Sequence, residues 1–348
     1  ECRFVEALLA ATGQKPHSEP GSPLSPGARR TTHLPAPNPE QKLRVDAELE
    51  RHSFFFTERA PSPFTGQVTP LSAWLGAGQR PLPITRVERY VDCPFLGFAS
   101  IVLGATRDEA VTDALGVRER GVLIHLAVAE ALSAIAGLTR PDEELLALAL
   151  EAAEQALQAH AGSALRGAAL RATRAEVRSL VRWSLEHRDY SFREAEKPFG
   201  EGQAWGPLEL GPYRLSGRID RIDVSSDGTS ARVIDYKSGK PPSRKEDRAL
   251  QGWLYARKVA AELGLSHVQS MYLGLTRRVP VPSEIFSGAP DDPLLLERER
   301  FALDKLSRLE AGLVIAQPSR PKACAKCDTR ELCRRPLSAP LSDDDGDE

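Results

Sequence analysis

YRLSGRIDRIDVSSDGTSARVIDYKSGK, residues Tyr213–Lys240, is the stretch whose reading decides the fold. Ile219, Ile222 and Val224 precede a break, Ala231, Val233 and Ile234 follow it, and Asp227-Gly228 sits between. Asp-Gly flanked by apolar runs predicts a β-hairpin, because a type I′ turn needs positive φ at both central residues. Counting outward from a two-residue loop, Ser226 faces Thr229, Asp223 faces Arg232, Ile222 faces Val233, and Asp220 faces Asp235.

That register carries chemistry. Directly opposed residues share a face with Cβ atoms about 5 Å apart, and like charges so placed are destabilising. Asp223 and Arg232 form the expected opposite-charge pair on one face. Asp220 against Asp235, with Lys237 two residues further along the other face, is the anomaly. Two carboxylates meeting at one point beside an ammonium suit a hard divalent cation and a hydrolytic reaction. The cation offsets the carboxylate repulsion, and the lysine can orient a water or stabilise charge developing on a phosphate. A surface hairpin with scattered charges is the bland alternative, and it leaves the convergence of three charged groups on one face unexplained.

G-R-I-D-R-I-D followed by V-I-D-Y-K-S-G-K resembles the catalytic core of the PD-(D/E)XK nuclease superfamily in its RecB-like branch. The flanking segments narrow the likeness to the iron–sulfur nuclease domains that end AddB-type subunits of bacterial helicase–nuclease complexes. The resemblance covers about Thr85 to Arg335. It implies an α/β fold: a restriction-endonuclease-like core of helix, three strands, helix and strand, with added helices and a C-terminal segment stapled by a cluster.

Composition bounds the rest. With 348 residues, 41% of them hydrophobic, the chain can build one large domain or two ordinary ones. A net charge of −2 excludes a globally basic nucleic-acid binder, so any DNA contact must come from local patches. No P-loop pattern occurs, and ATP hydrolysis is not expected. The most membrane-like stretch, Gly121–Leu138, carries His125, Glu130 and Ser133 and reads as a buried helix. Five cysteines without disulfide-framework density fit a reducing cytoplasm.

Along the chain, Gln14–Glu40 and Pro61–Pro83 are rich in proline, serine and glycine and read as linker or loop. Glu1–Ala11 and Gln41–Arg51 suggest short helices, and Phe54-Phe55-Phe56 a strand or an apolar plug. Residues 1–84 are therefore expected to be a linker or the remnant of a helicase-like region, with the nuclease domain at 85–335. Thr85-Arg-Val-Glu88 has the form of a capping box starting a helix that runs through Tyr90 into Cys93-Pro94-Phe95. Further helices are expected over Gly121–Gly137, Asp142–Ala161, Ser163–Arg188 and Asp247–Leu263, and strands over Phe192–Phe199 and His267–Leu275.

Several residues gain roles from the resemblance. A histidine on an apolar helix is more often a satisfied core residue, but His125 matches the G-x-x-x-H element that helps hold the metal in RecB-like nucleases. Glu196 matches an acidic residue some members place near it. Gln251 and Tyr255 match the Q-x-x-x-Y motif that positions catalytic groups or substrate. Arg171, Arg174, Arg178 and Arg182 fall within an arc of about 80° at helical spacing. They form either a phosphate-tracking stripe or a solvated face whose stems cover apolar surface.

Cys324-Ala-Lys-Cys327 and Cys333 make a tight three-thiolate loop, with Cys93 the plausible distant fourth donor and Cys2 left over. Such a set holds zinc or an iron–sulfur cluster, and spacing alone does not decide. The resemblance favours a 4Fe-4S cluster tying the first core helix to the chain's end. Pro336–Glu348 reads as a disordered acidic tail.

The expectation is thus a Mg²⁺-dependent (or Mn²⁺-dependent) DNA nuclease. Asp220, Asp235, His125 and the backbone carbonyl of Tyr236 hold the ion, and Lys237 stabilises the developing charge. The resemblance adds DNA ends unwound by an AddA-type or fused helicase as substrate, and recombinational repair of double-strand breaks as setting. The rival expectation is a non-catalytic, cluster-bearing scaffold that grips DNA or a helicase.

Overall fold

A computed structural model describes residues 38–56, 60–75, 79–105, 117–161, 167–238, 241–246, 249–320, 323–324, 327–333 and 335. Cys2, the expected helix at 1–11, most of the first proline-rich stretch and the acidic tail lie outside them. In chain order, helix α1 is Pro39–Phe54, strand β1 Leu82–Pro83, α2 Ile84–Asp92, α3 Pro94–Ile101 and α4 Val117–Ile135. Next come α5 Asp142–Ala161, α6 Gly167–Glu186, β2 Ser191–Phe199, β3 Leu208–Leu210, β4 Tyr213–Val224 and β5 Ser230–Ser238. Helix α7 Leu250–Leu263, β6 His267–Leu275, β7 Val281–Gly288 and α8 Pro293–Glu310 complete the order.

The hairpin β4–β5 keeps the counted register from Val224 opposite Ala231 to Arg221 opposite Ile234, and its ladder stops one pair short of Asp220 and Asp235. Its turn differs. The ladder closes at Ser225 N–H to Ser230 O (3.0 Å), leaving a four-residue loop, and Gly228 N–H bonds Ser225 O. Gly228 has φ +70°, whereas Asp227 is not in the left-handed region, so the turn is not type I′. Asp227 instead accepts from Thr229 N–H and the Ser225 hydroxyl. Two- and four-residue loops on one centre give one register, which is why the pairing survives.

Seven strands form one mixed sheet in the order β1-β4-β5-β6-β7, with β2 and β3 also paired to β4. Strands β5 and β6 are parallel and joined through α7, as a crossover connection requires. Residues 231–236 of β5 are buried without a break, the signature of a strand covered on both faces. One core gathers Ile222 and Val233 with Val87, Leu254 and Leu306, from α2, α7 and α8. The other gathers Ile234 and Tyr236 with Val128, Ala153 and Val181, from α4, α5 and α6. The result is a helix–sheet–helix sandwich containing the expected core. Among the described residues no helix is long and apolar enough to cross a membrane.

Other expectations change. Thr85-x-x-Glu88 is not a capping box: α2 already starts at Ile84, its N-cap is Pro83, which has no side-chain acceptor, and Glu88 is engaged elsewhere, as described below. The helix also does not run through Cys93. That residue is extended (φ −165°, ψ 122°) between α2 and α3, since Pro94 disfavours helical backbone in the residue before it. Gly97 lets α3 fold back on α2; a Cβ there would lie 2.4 Å from Tyr90 Cα. Phe54 closes α1 rather than forming a strand, with Phe55 as its C-cap. The Pro61–Pro83 loop docks through Val68 N–H to Gly312 O and Leu71 N–H to Glu310 O. Asp223 and Arg232 do not pair with each other. Asp223 takes Arg221 at 2.7 Å, both fully buried, and Arg232 reaches Asp189 at 3.5 Å. Strand β7 and helix α8 had no counterpart in the sequence reading.

Candidate active site

The strand carrying Asp220 loses one step of its alternation there. Leu215, Ile219 and Ile222 all pack in the same core, so the side-chain period of two is broken between 219 and 222. Across the gap on β2, between the pairs Ala195↔Arg221 and Lys197↔Ile219, stands Glu196. Its φ of +50° is the only positive value for a non-glycine among the described residues. A carboxylate-bearing residue held in the left-handed region costs about 1–3 kcal/mol and persists where its surroundings over-determine it. The paired irregularity brings Glu196 and Asp220 to one point.

His125, from α4, completes that point. Its Nδ1 lies 3.4 Å from Asp220 Oδ1 and 3.6 Å from Glu196 Oε1. The three ligand atoms lie within 4.8 Å of one another, the geometry of a cation site. Glu196 Oε1 is buried with no hydrogen-bond donor among the described residues, a deficit that a cation would correct. The Tyr236 amide holds the other oxygen of Asp220 at 2.7 Å, and the Tyr236 ring stands edge-on to the His125 imidazole. Burial disfavours the imidazolium, but Asp220, Glu196 and Asp235 outweigh it and push His125 up to about 10.

Asp235 and Lys237 form the adjoining half. Burial pushes the Asp235 carboxyl up to about 6, against the pull of Lys237, whose Nζ lies 2.6 Å from Oδ2. Burial also opposes the ammonium, yet Asp235 and Glu88 hold Lys237 above its ordinary range. The same Nζ donates to Gln251 Oε1 at 2.5 Å, and Gln251 Nε2 donates to the Tyr255 hydroxyl at 2.9 Å. One turn of α7 therefore fixes the amide that aims the lysine, which accounts for the i, i+4 spacing of Gln251 and Tyr255.

Glu88 is the member that sequence reading missed. Its Oε1 accepts the Gln251 backbone N–H at 2.7 Å. Burial pushes its carboxyl up to about 7, partly countered by Lys237 and the Gln251 amide and reinforced by Asp235 and Asp92. The available signal was a glutamate on the apolar side of a short helix, and it was assigned to a local cap.

The thiols Cys93, Cys324, Cys327 and Cys333 gather where α2 and α3 meet the C-terminal segment. Burial pushes Cys93 up to about 11, while the backbone amides of Leu96 and Phe95 pull the other way. Cys333 and Cys327 raise it further, so the thiols sit within electrostatic reach of one another. Among the described residues, no three cysteine sulfurs lie within 4.8 Å of each other. Phe95 N–H to Ile315 O, Ser319 N–H to Asp92 O and the Arg320–Asp92 and Arg89–Asp328 pairs tie the two segments together.

Of the arginine stripe on α6, Arg174 is engaged by both carboxylate oxygens of Glu154 on α5. Arg171, Arg178 and Arg182 are exposed and line a groove beside Arg277 and Arg278. The structure therefore brings His125, Glu196, Asp220, Asp235, Tyr236, Lys237, Gln251 and Tyr255 to one site and keeps the arginines and cysteines apart from it.

Residues 81–334 match the sequence profile of the PD-(D/E)XK nuclease superfamily. The chain is 29% identical over 185 residues to an ATP-dependent helicase/deoxyribonuclease subunit of Ruminiclostridium cellulolyticum, covering 47% of this chain and 16% of that protein. It is 29% identical over 177 residues to the protein of the same description from Acetivibrio thermocellus, covering 45% and 15% respectively. The chain thus spans about one sixth of the length of the curated relatives it matches. The crystal structure of SSO0001 aligns over 61% of this chain and 85% of its own, at 16% identity and a TM-score of 0.26, a superposition too poor to bear on the fold.

Proposed function

The chain belongs to the PD-(D/E)XK nuclease superfamily, and from that premise we propose that it is a metal-dependent deoxyribonuclease. The observation that carries the reading is the convergence of His125, Glu196 and Asp220 within 4.8 Å, beside the Asp235–Lys237 pair. His125, Glu196 and Asp220 would hold Mg²⁺ (or Mn²⁺), with Asp235, now paired with Lys237, and the Tyr236 carbonyl as the further ligands the resemblance implies. When bound, the cation supplies Lewis-acid polarisation of the phosphodiester and lowers the pKa of an attacking water.

The chain's own groups do the remainder. The Tyr236 amide locks the Asp220 carboxylate, so that oxygen geometry is set before substrate arrives. Lys237, aimed by Gln251, faces the place where negative charge grows on the phosphate; a preplaced ammonium needs no reorganisation during reaction. Tyr255 and Glu88 act as positioning residues through Gln251. Recognition runs through the DNA backbone, which the exposed arginines favour.

The finer parts follow the resemblance and the relatives. The substrate is DNA ends unwound by an AddA-type helicase or a fused helicase region, the setting double-strand-break repair in the cytoplasm, and the mode exonucleolytic. Cys93, Cys324, Cys327 and Cys333 hold a 4Fe-4S cluster.

Asp235→Ala tests the catalytic reading on radiolabelled single-stranded DNA with and without Mg²⁺. Cleavage should vanish while binding persists; undiminished cleavage would sink the assignment. Anaerobic purification tests the second centre: broad absorbance near 400 nm supports iron, and a colourless zinc-loaded protein overturns it.

A further inference from the structure

Six arginines from two elements line one groove of about 290 Å³: Arg171, Arg174, Arg178 and Arg182 on α6, and Arg277 and Arg278 just beyond β6. The Ser179 hydroxyl donates to the Arg278 carbonyl at 2.8 Å, which fixes the loop wall to the helix wall. Arg277 and Arg278 follow three and four residues after Gly274, the register partner of Lys237. The groove therefore opens at the same end of the sheet as the active site.

Its lining speaks for one ligand chemistry. No acidic or aromatic side chain lines it among the described residues, and only Arg174 has its guanidinium committed to a carboxylate, that of Glu154. Guanidinium forks match phosphate oxygens bidentately, so a row of them suits a polyphosphate chain. Without aromatic platforms the groove cannot stack bases, so it grips backbone and ignores sequence. From Arg171 to Arg182 the helix rises about 16 Å, the length of four to five nucleotides of stacked strand. Cationic walls on both sides of a groove this small fit a single strand and leave no room for a duplex.

We propose that this groove is the track that guides the phosphate chain of single-stranded DNA toward Lys237 and Asp235, an inference that rests on the nuclease reading above. The test is fluorescence anisotropy of a labelled oligothymidylate in EDTA, titrated at several salt concentrations. The Arg178→Gln/Arg182→Gln/Arg277→Gln/Arg278→Gln variant should show a salt slope shallower than wild type by about 2 to 3, from about 0.7 for each phosphate no longer neutralised. Over 50 to 200 mM salt wild type should therefore lose about 16- to 64-fold more affinity than the variant. Should that variant fail to fold by its urea midpoint, Arg178→Glu and Arg277→Glu, one on each wall, must each weaken binding severalfold at 50 mM salt. An unchanged slope overturns the proposal, as does equal competition by duplex DNA or by polyglutamate. Mg²⁺-dependent cleavage with an unchanged slope removes the groove and keeps the nuclease. The expected slope change without any cleavage by wild type removes the nuclease and keeps the groove.

Discussion

Replacing Glu88 with Gln should stabilise the protein at pH 8 by about 3 kcal/mol and leave it nearly unchanged at pH 4.5. The carboxyl moves from an ordinary 4.5 to about 7, chiefly because it is buried. At about 1.36 kcal/mol per pH unit, that displacement is worth about 3 kcal/mol. The folded value lies above the unfolded one, so the folded state keeps a proton that the unfolded chain has released. Stability is therefore fully present below pH 4.5, falls as pH rises to about 7, and is flat beyond. Glutamine keeps an oxygen for the Gln251 amide now bonded at 2.7 Å, so the site's geometry is spared. Asp235, pushed up to about 6, titrates in both proteins, and the difference between them isolates Glu88. Urea midpoints followed by tryptophan fluorescence in EDTA, in half-unit steps from pH 4.5 to 8.5, measure it. Parallel pH–stability curves for the two proteins would refute the reasoning.

Three further outcomes follow from the geometry. Because His125 is pushed up to about 10 and must be neutral to bind a metal, Mg²⁺ uptake should release close to one proton at pH 8 to 9, above the range in which Asp235 and Glu88 titrate. Calorimetry in buffers of different ionisation enthalpy reads that proton, and His125→Ala should abolish it. Gly97→Ala places a Cβ 2.4 Å from the Tyr90 backbone and should destabilise by about 1–3 kcal/mol or more, visible as a lowered urea midpoint. Asp223→Ala leaves the fully buried Arg221 without its carboxylate and should cost about 3–5 kcal/mol in urea denaturation.

The sequence came close on the hairpin for a physical reason. Apolar spacing and an Asp-Gly pair fix the centre of a turn, and any loop on that centre yields the same partners, so the register held although the turn type did not. Side-chain pairing was less legible. Asp223 has Arg232 across the ladder, yet the buried Arg221 two residues away on its own strand takes the carboxylate. Local counting sees the opposed residue and not that Arg232 is drawn off to Asp189 and the Tyr190 ring. Strand β7 and helix α8 escaped because the exposed Val281, Leu294 and Leu296 stand beside the buried apolar residues and blur the period.

By itself the sequence determined the chain of chemistry-bearing residues: the carboxylates and lysine on the hairpin, the i, i+4 pair Gln251 and Tyr255, and the cysteine spacing. Each depends on neighbours within a few residues, where helical and strand periods act directly. Only the tertiary structure decided that Glu88 takes the amide of Gln251, the residue that aims Lys237, that Glu196 is held at positive φ against Asp220, and that Arg277 and Arg278 face the α6 stripe. Those features arise where segments far apart in the chain are pressed together by two cores on opposite faces of one sheet, and the packing free energy that sustains the strained or buried carboxylate has no local signature.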